Sequence, residues 1–229
     1  MRPQIRSIDS IVGEQFGRWS ARDQPGKEPQ KIPPPVITIS RETGSFGKLV
    51  ARRLAEDLNM DLSGKNIIDQ VAQNAKVSSA VVRTIDEKDR SFLDDLIATW
   101  QEKSNISNDT YFDHLVRIIG TIGKHGNHII VGRGANFIIK PPQNLRIRFI
   151  APLEMRVDSL MKEYGLALDD AVKKVKESDA NRRAYIRKYF HADIDDPSNY
   201  DLVINNAYVT IEQSVGIIKE AVKVRIAGR

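Results

Sequence analysis

None of the 229 residues is cysteine. That excludes disulfides, thiolate metal sites and thiol nucleophiles together, so any chemistry must come from other side chains. Histidine is scarce as well, at four residues. His114, His125 and His128 show no ligand spacing with carboxylates, and His191 suits a helix end, where a positive charge is favoured by the dipole. Long hydrophobic runs are missing. Nothing approaches the ~18 consecutive apolar residues of a membrane span, and the first residues lack the basic, apolar, small-residue order of a signal peptide. The expectation is a cytoplasmic protein with no membrane partner. A strong charge imbalance is also lacking: 35 bases stand against 30 acids, a net charge of +5. A mixed surface of this kind does not require nucleic acid, whereas a small ligand carrying several phosphates needs only a local cluster of bases.

What is present is ordinary globular material, 41% hydrophobic and 28% charged, of a length that fits one main core with a subordinate excursion. Residues 1–35 form an N-terminal arm and linker. Ile5, Ile8, Ile11, Val12, Phe16 and Trp19 fall at helical spacing, and Pro33-Pro34-Pro35 must be extended. The arm reads either as a docking or homo-oligomerising segment, or as a frayed extension or a helix packed on its own domain. From Val36 the pattern becomes α/β. Val36 to Ser40 is a short β-branched strand, followed by a glycine-bearing turn and a helix from Lys48 to about Leu58. Runs at His128 to Gly132, Leu145 to Ala151 and Leu202 to Asn205 read as further strands buried on both faces, which predicts a parallel sheet covered by helices. Between the first two strands, mostly helical patterns run Ile67 to Ala75, Ser78 to Lys88, Arg90 to Lys103 and Asp109 to His125, an excursion of the kind that forms a lid or substrate-side insert.

The turn after the first strand has the context of a phosphate-binding loop, in which backbone N–H groups and the following helix N-terminus face an anion. Against G-x-x-x-x-G-K-[ST] it reads Glu42-Thr43-Gly44-Ser45-Phe46-Gly47-Lys48-Leu49, so Gly47 and Lys48 fit while Glu42 and Leu49 do not. Leu49 offers Mg²⁺ no hydroxyl, and no metal-ligating residue is identifiable. Ser40, Thr43 and Ser45 supply hydroxyls, and Arg41 a second cation. Thr43, Gly44, Ser45, Gly47 and Lys48 are therefore the nucleotide-binding set; the plain alternative is a strand-to-helix turn with a surface lysine.

Later in the chain Asp179, Arg183 and Arg187 share one helix face at spacing four, with Arg182 beside them. Such a cluster could stabilise charge on a transferring phosphoryl group, or could be a solvated salt-bridge pair worth ~0.3–0.5 kcal/mol.

Four collinear segments together carry a resemblance. They are VITISRETGSFGKLVARRLAE from Val36, VGRGANFIIKPPQNLRIRFIAPLEMR from Val131, ESDANRRAYIRKYF from Glu177 and NYDLVINNAYVTIEQ from Asn199. They resemble the cytidylate kinase-like family. The resemblance implies a three-layer α/β P-loop NTPase fold over residues 36–229, with a helical acceptor-side insert at about 67–125 and an arginine-bearing lid at about 179–191. It implies ATP with Mg²⁺ as phosphoryl donor and a pyrimidine monophosphate, CMP above all, as acceptor. Arg133 matches the arginine placed at the acceptor nucleotide, although the acids flanking it in cytidylate kinases proper appear here as Val131 and Gly134. Asp179 and Arg183 match the acid and arginine of the lid. The expected roles are substrate binding for Arg133, Asp179 and Arg182, and catalysis for Lys48, Arg183 and Arg187. Aligning Leu54-Ala55-Glu56 with the family's helix puts Gly47, not Lys48, at the loop lysine. Two rival readings stand beside the kinase. One is a nucleotide-binding pseudoenzyme or regulatory protein of the same fold. The other is a helix-turn-helix DNA-binding module over Ile67 to Glu87, disfavoured because its second helix carries only Arg83 and Lys88 as bases.

Overall fold

The computed structural model describes residues 35–104 and 109–227. The arm and linker expected before Pro35 lie outside the described residues. Two compact units result, Pro35–Ser63 with Asn127–Arg229, and a second whose described part is Gly64–Gly126.

The first unit is built on a five-stranded sheet. Its strands are β1 (Val36–Arg41), β2 (Asp61–Gly64), β3 (His128–Val131), β4 (Asn144–Ile150) and β5 (Leu202–Asn205), in the order β2-β3-β1-β4-β5. The β1–β3, β1–β4 and β4–β5 pairs are parallel. β-Branched side chains suit a strand covered on both faces, and Val36, Ile37, Thr38 and Ile39 of β1 are all buried. Helix α1 (Gly47–Leu58) returns over the sheet, and its Val50, Ala51 and Leu54 join Ile37, Ile147 and Phe149 in one core. Each such fully buried side chain contributes ~1.5–3 kcal/mol.

Two strand expectations need correction. β2 reads Asp-Leu-Ser-Gly and carries no β-branched residue; it exists because Asp61 N–H donates to the carbonyl of Asn127 at 3.1 Å and His128 Nε2 meets Ser63 Oγ at 2.8 Å. β5 is not buried on both faces, since Val203 is 43% exposed. Among the described residues it is the sheet's last strand, with no neighbour beyond it.

After β3 come a short α6 (Ala135–Ile138), then β4, α7 (Leu153–Tyr164) and α8 (Leu168–Phe190). Val157 and Leu160 of α7 pack on Ala171 and Val175 of α8. A 3-10 turn over Pro197–Asn199 precedes β5, and α9 (Ile211–Ala227) closes the unit, with Val215, Ile218 and Val222 on the core.

The second unit is helical: α2 (Lys65–Gln73), α3 (Ala75–Val82), α4 (Glu87–Ser104) and α5 (Thr110–His125), with α5 packed against the other three. Gly120 lets α4 come close, since a Cβ there would lie 2.3 Å from Leu93. The helix expected from Ser78 to Lys88 stops at Val82. Thr84 turns its hydroxyl back on the Val81 carbonyl at 2.7 Å, and Asp86 accepts the Asp89 N–H at 2.7 Å to start α4. Arg83 and Lys88 therefore do not share a helix, and the helix that follows α2 ends before both of the bases that a helix-turn-helix reading assigned to it.

Candidate functional site

Strand β1 delivers the chain at the C-terminal edge of the sheet, where parallel α/β proteins place their ligands. Residues 42–46 then turn sharply into α1. Gly44 takes φ +84°, and a Cβ on it would lie 2.4 Å from the Arg156 carbonyl oxygen. Phe46 takes φ +59° as the residue before the helix, which begins at Gly47. The first-turn N–H groups of such a helix have no intrahelical acceptor and carry the positive end of its dipole. They face a cavity of about 1060 Å³ lined by Arg41, Thr43, Gly44, Ser45, Gly47, Lys48 and Arg182, with Glu163 and Tyr164 across it. The expected nucleotide-binding set is thus brought to one wall.

The charges there are unevenly matched. Burial and the neighbouring Arg41 cation push the Lys48 ammonium below its usual range, and the Glu163 carboxylate opposes this only in part. Arg41 is lowered to about 10 by burial and by repulsion from Arg182 and Arg133. Its Nε is buried with no hydrogen-bond partner. Clustered cations of this kind, Arg41 largely buried and Lys48 only partly so, mark a place where an anion would be favoured.

Acids nearby are already engaged. Both oxygens of the buried Asp179 are used: Oδ1 accepts the Thr43 N–H and hydroxyl, each at 2.9 Å, and Arg182 at 2.8 Å, while Oδ2 accepts Arg156 at 2.5 Å. Arg182 also donates to the Thr43 hydroxyl oxygen. Glu42, out of place in the standard motif, accepts the Ala151 N–H at 3.0 Å and lies 3.4 Å from Arg156. Its carboxylate is tied to the scaffold behind the loop.

Arg133 sits between Gly132 and Gly134, and all three adopt positive φ, at +59°, +88° and +67°. A non-glycine residue held left-handed costs ~1–2 kcal/mol, so the surroundings over-determine this turn. The Arg133 guanidinium lies 5.2 Å over the Tyr185 ring. Arg183 reaches Asp195 at 2.8 Å, and Arg148, buried in β4, donates to Asp195 and to Ser40 Oγ. Burial would raise Asp195, but the Arg183 and Arg148 hydrogen bonds win and hold it below the usual carboxylate range. Arg41, Arg148, Arg182 and Arg183 converge on one small space. Arg187 does not join them: it is exposed and lines neither space. One face of an isolated helix is therefore not one site: the turn from Asp179 to Arg183 lines the small space, and Arg187, one turn further on, does not. Arg148 and Arg156 were not read as site residues from the sequence. For Arg148 the available signal was a base inside an apolar run, LRIRFI, where a solvated charge has no place; Arg156, in α7, lies outside that run.

The loop does not fit the usual protein contribution to an Mg²⁺ site. Leu49 has no donor, the Thr43 hydroxyl is given to Asp179, and the Ser45 hydroxyl to the Glu42 and Phe149 carbonyls. Among the described residues no group of three or more acidic or histidine side chains could hold a metal ion.

Sheet order, strand pairing and the strand–loop–helix at its edge define a three-layer α/β P-loop fold. Residues 36–208 match the cytidylate kinase-like family, and the chain belongs to it. It is similar to the cytidylate kinase of Methanocaldococcus jannaschii, 35% identical over 106 residues, 44% of this chain and 58% of that protein. The match thus spans a little over half the length of that relative. Against the cytidylate kinase of Methanosarcina barkeri identity is 28% over 189 residues, 81% of this chain and 95% of the relative. An uncharacterised protein from Eubacterium ventriosum shares the fold, with TM-score 0.66 and 24% identity over 83% of this chain and 98% of that structure. No helix among the described residues is long and apolar enough to cross a membrane.

Proposed function

We propose that the chain is a nucleoside monophosphate kinase that moves a phosphoryl group from ATP to a pyrimidine monophosphate, CMP foremost. The observation that carries the reading is the cavity at the loop, where Arg41, Lys48 and Arg182 crowd together without enough acid to balance them. A polyphosphate answers that imbalance, and the names of the related proteins supply the acceptor class. Backbone N–H groups of residues 44 to 48 and the Lys48 ammonium bind the donor phosphates. Arg133, pre-set in its strained turn, orients the acceptor phosphate. Arg182 and Arg183 stabilise charge on the phosphoryl group in transfer, a role worth about 10³-fold or more in turnover for arginines of this kind. Asp179 is a positioning residue here, joining the loop to α8 through Thr43, and Arg187 plays no part. Mg²⁺ is not held by the loop residues.

The test is release of ADP in the presence of ATP and each nucleoside monophosphate in turn. Turnover with CMP or another pyrimidine monophosphate supports the kinase. A second reading keeps nucleotide binding and drops turnover; it is favoured by the missing hydroxyl at Leu49 and by the Thr43 N–H being given to Asp179. ATP binding without ADP release for any acceptor would establish that reading instead. A rise in melting temperature with ATP but no preference among acceptors would leave the phosphate site standing and refute the pyrimidine assignment.

A further inference from the structure

The loop's side-chain cation is expected on the helix, yet a cation that lines both spaces of the site comes from the end of the strand. A Cβ on Gly47 would lie 2.9 Å from Arg41 Cβ and 3.1 Å from Phe149 Cδ2. No side chain can leave the helix at its first position, because the stem of Arg41 already fills that space. Lys48, one residue later, is exposed. The far end of Arg41 comes close to the end of β3: a Cβ on Gly132, which holds φ +88°, would lie 2.6 Å from an Arg41 terminal nitrogen. Arg41 therefore runs from the phosphate loop to the Gly132–Arg133 turn, and it lines both the large cavity and the small space shared with Arg148, Arg182 and Arg183.

Among the described residues no direct side-chain pairing accounts for that placement. Arg156 and Arg182 share Asp179, while Arg148 and Arg183 share Asp195. No ion pair or hydrogen bond is made by the Arg41 side chain among the described residues, and its Nε is buried. A desolvated guanidinium without a partner is costly unless an anion completes it. Repulsion from Arg182 and Arg133 adds to that cost, and the nearby Asp179 carboxylate, already shared by Arg156 and Arg182, offsets it only in part.

We propose that Arg41 is the principal phosphate-holding cation of this loop, supplied from the end of β1 in place of a lysine on the helix, and that it grips the oxyanion lying between the loop and Arg133. The ligand class is a phosphate group of a nucleotide polyphosphate. This deepens the kinase reading by naming the residue at the junction of donor and acceptor, and it demotes Lys48 to a flanking charge.

The full chain is titrated with inorganic pyrophosphate and with ATP, reading dissociation constants by calorimetry and melting temperatures with and without ligand. Wild type, Arg41→Gln, Arg41→Lys and Lys48→Gln are compared. Arg41→Gln should weaken both ligands about 10- to 100-fold, the range of one charge-assisted hydrogen bond. Arg41→Lys should be intermediate, since it keeps the charge and loses the planar fork, and Lys48→Gln should cost only a few-fold. Without ligand, Arg41→Gln should melt at or above wild type, because a buried and only partly compensated cation has been removed; a merely structural arginine would lower it. The inference is overturned if Arg41→Gln binds pyrophosphate like wild type, or if Lys48→Gln loses more affinity than Arg41→Gln. Should Arg41→Gln not fold, unchanged binding by Arg41→Lys overturns it equally. Loss of affinity in the Arg41 variants without any ADP release in the wild type would support this site and refute the kinase. Wild type that binds neither ligand overturns both.

Discussion

Asp179→Asn separates two roles for the best-connected carboxylate in the site. As a substrate ligand, Asp179 would be dispensable for folding and needed for binding. Its contacts argue the reverse: a side chain only 10% exposed accepts Arg156, Arg182 and both the N–H and hydroxyl of Thr43. Breaking a buried ion pair by removing one partner costs ~3–5 kcal/mol. The low end applies here, because Arg156 keeps the Ala151 carbonyl at 2.9 Å and Glu42 at 3.4 Å, and the asparagine carbonyl can retain one Thr43 bond. Arg182 loses its carboxylate altogether. For a domain of this size each kcal/mol moves Tm by roughly 2–4 °C, so a fall of about 6–12 °C is expected in a thermal melt. Loss of the negative charge also leaves Arg41, Arg156 and Arg182 less compensated, and it releases the Thr43 N–H. ATP and pyrophosphate should therefore bind more tightly to the variant than to wild type, measured by calorimetry at a temperature where both are folded. A Tm change under about 2 °C together with weaker binding would refute the argument and make Asp179 a ligand-contacting group.

Four further outcomes follow from the same geometry. Arg183→Ala should lower turnover by ~10³-fold while changing nucleotide affinity much less, whereas Arg133→Ala should raise the acceptor KM; equal, small effects of both would remove them from the site. Arg133→Gly should relieve the left-handed backbone and raise stability by about 1 kcal/mol in a denaturant melt, even as acceptor binding is lost. Because the folded Lys48 pKa lies below its unfolded value, the unfolded chain binds more protons between the two. Ligand-free stability should accordingly rise as pH climbs through that window, while ATP affinity falls as the cation is lost; Tm measured with and without ATP from about pH 8 to about pH 10 checks both signs. For Asp195, whose folded pKa is lowered, the sign is opposite: its contribution is present above the unfolded carboxylate pKa and is lost as pH falls through the folded one, so Asp195→Asn should flatten the acid limb of the stability curve.

Where the structure agrees with the sequence, the information was local. The β-branched run at Val36 to Ile39, the apolar strand at Leu145 to Ile150 and the glycines around residues 44–47 specify strand, strand and turn through preferences that each residue carries with it. That is enough for a parallel α/β core and for the position of the phosphate loop. β2 escaped notice because Asp61-Leu62-Ser63-Gly64 has no strand preference of its own and depends on the neighbouring β3. The continuous helix over Ser78 to Lys88 failed for a related reason, since a threonine hydroxyl and an aspartate cap outcompeted its periodicity.

The chemistry of the site was decided by the tertiary structure. Helical spacing placed Asp179, Arg183 and Arg187 on one face, but only the packing of α8 turned Asp179 beneath Thr43, 136 residues away, and left Arg187 in solvent. Glu42 reads as an intruder in a phosphate loop until its carboxylate is seen on the Ala151 N–H. Arg41 reads as one more base until its stem is seen against Gly47 and its guanidinium beside Gly132. Residue preferences act over a few positions and survive in the sequence as pattern. The pairing or isolation of a charge depends on which distant segments the fold brings within about 4 Å, and no local pattern records that.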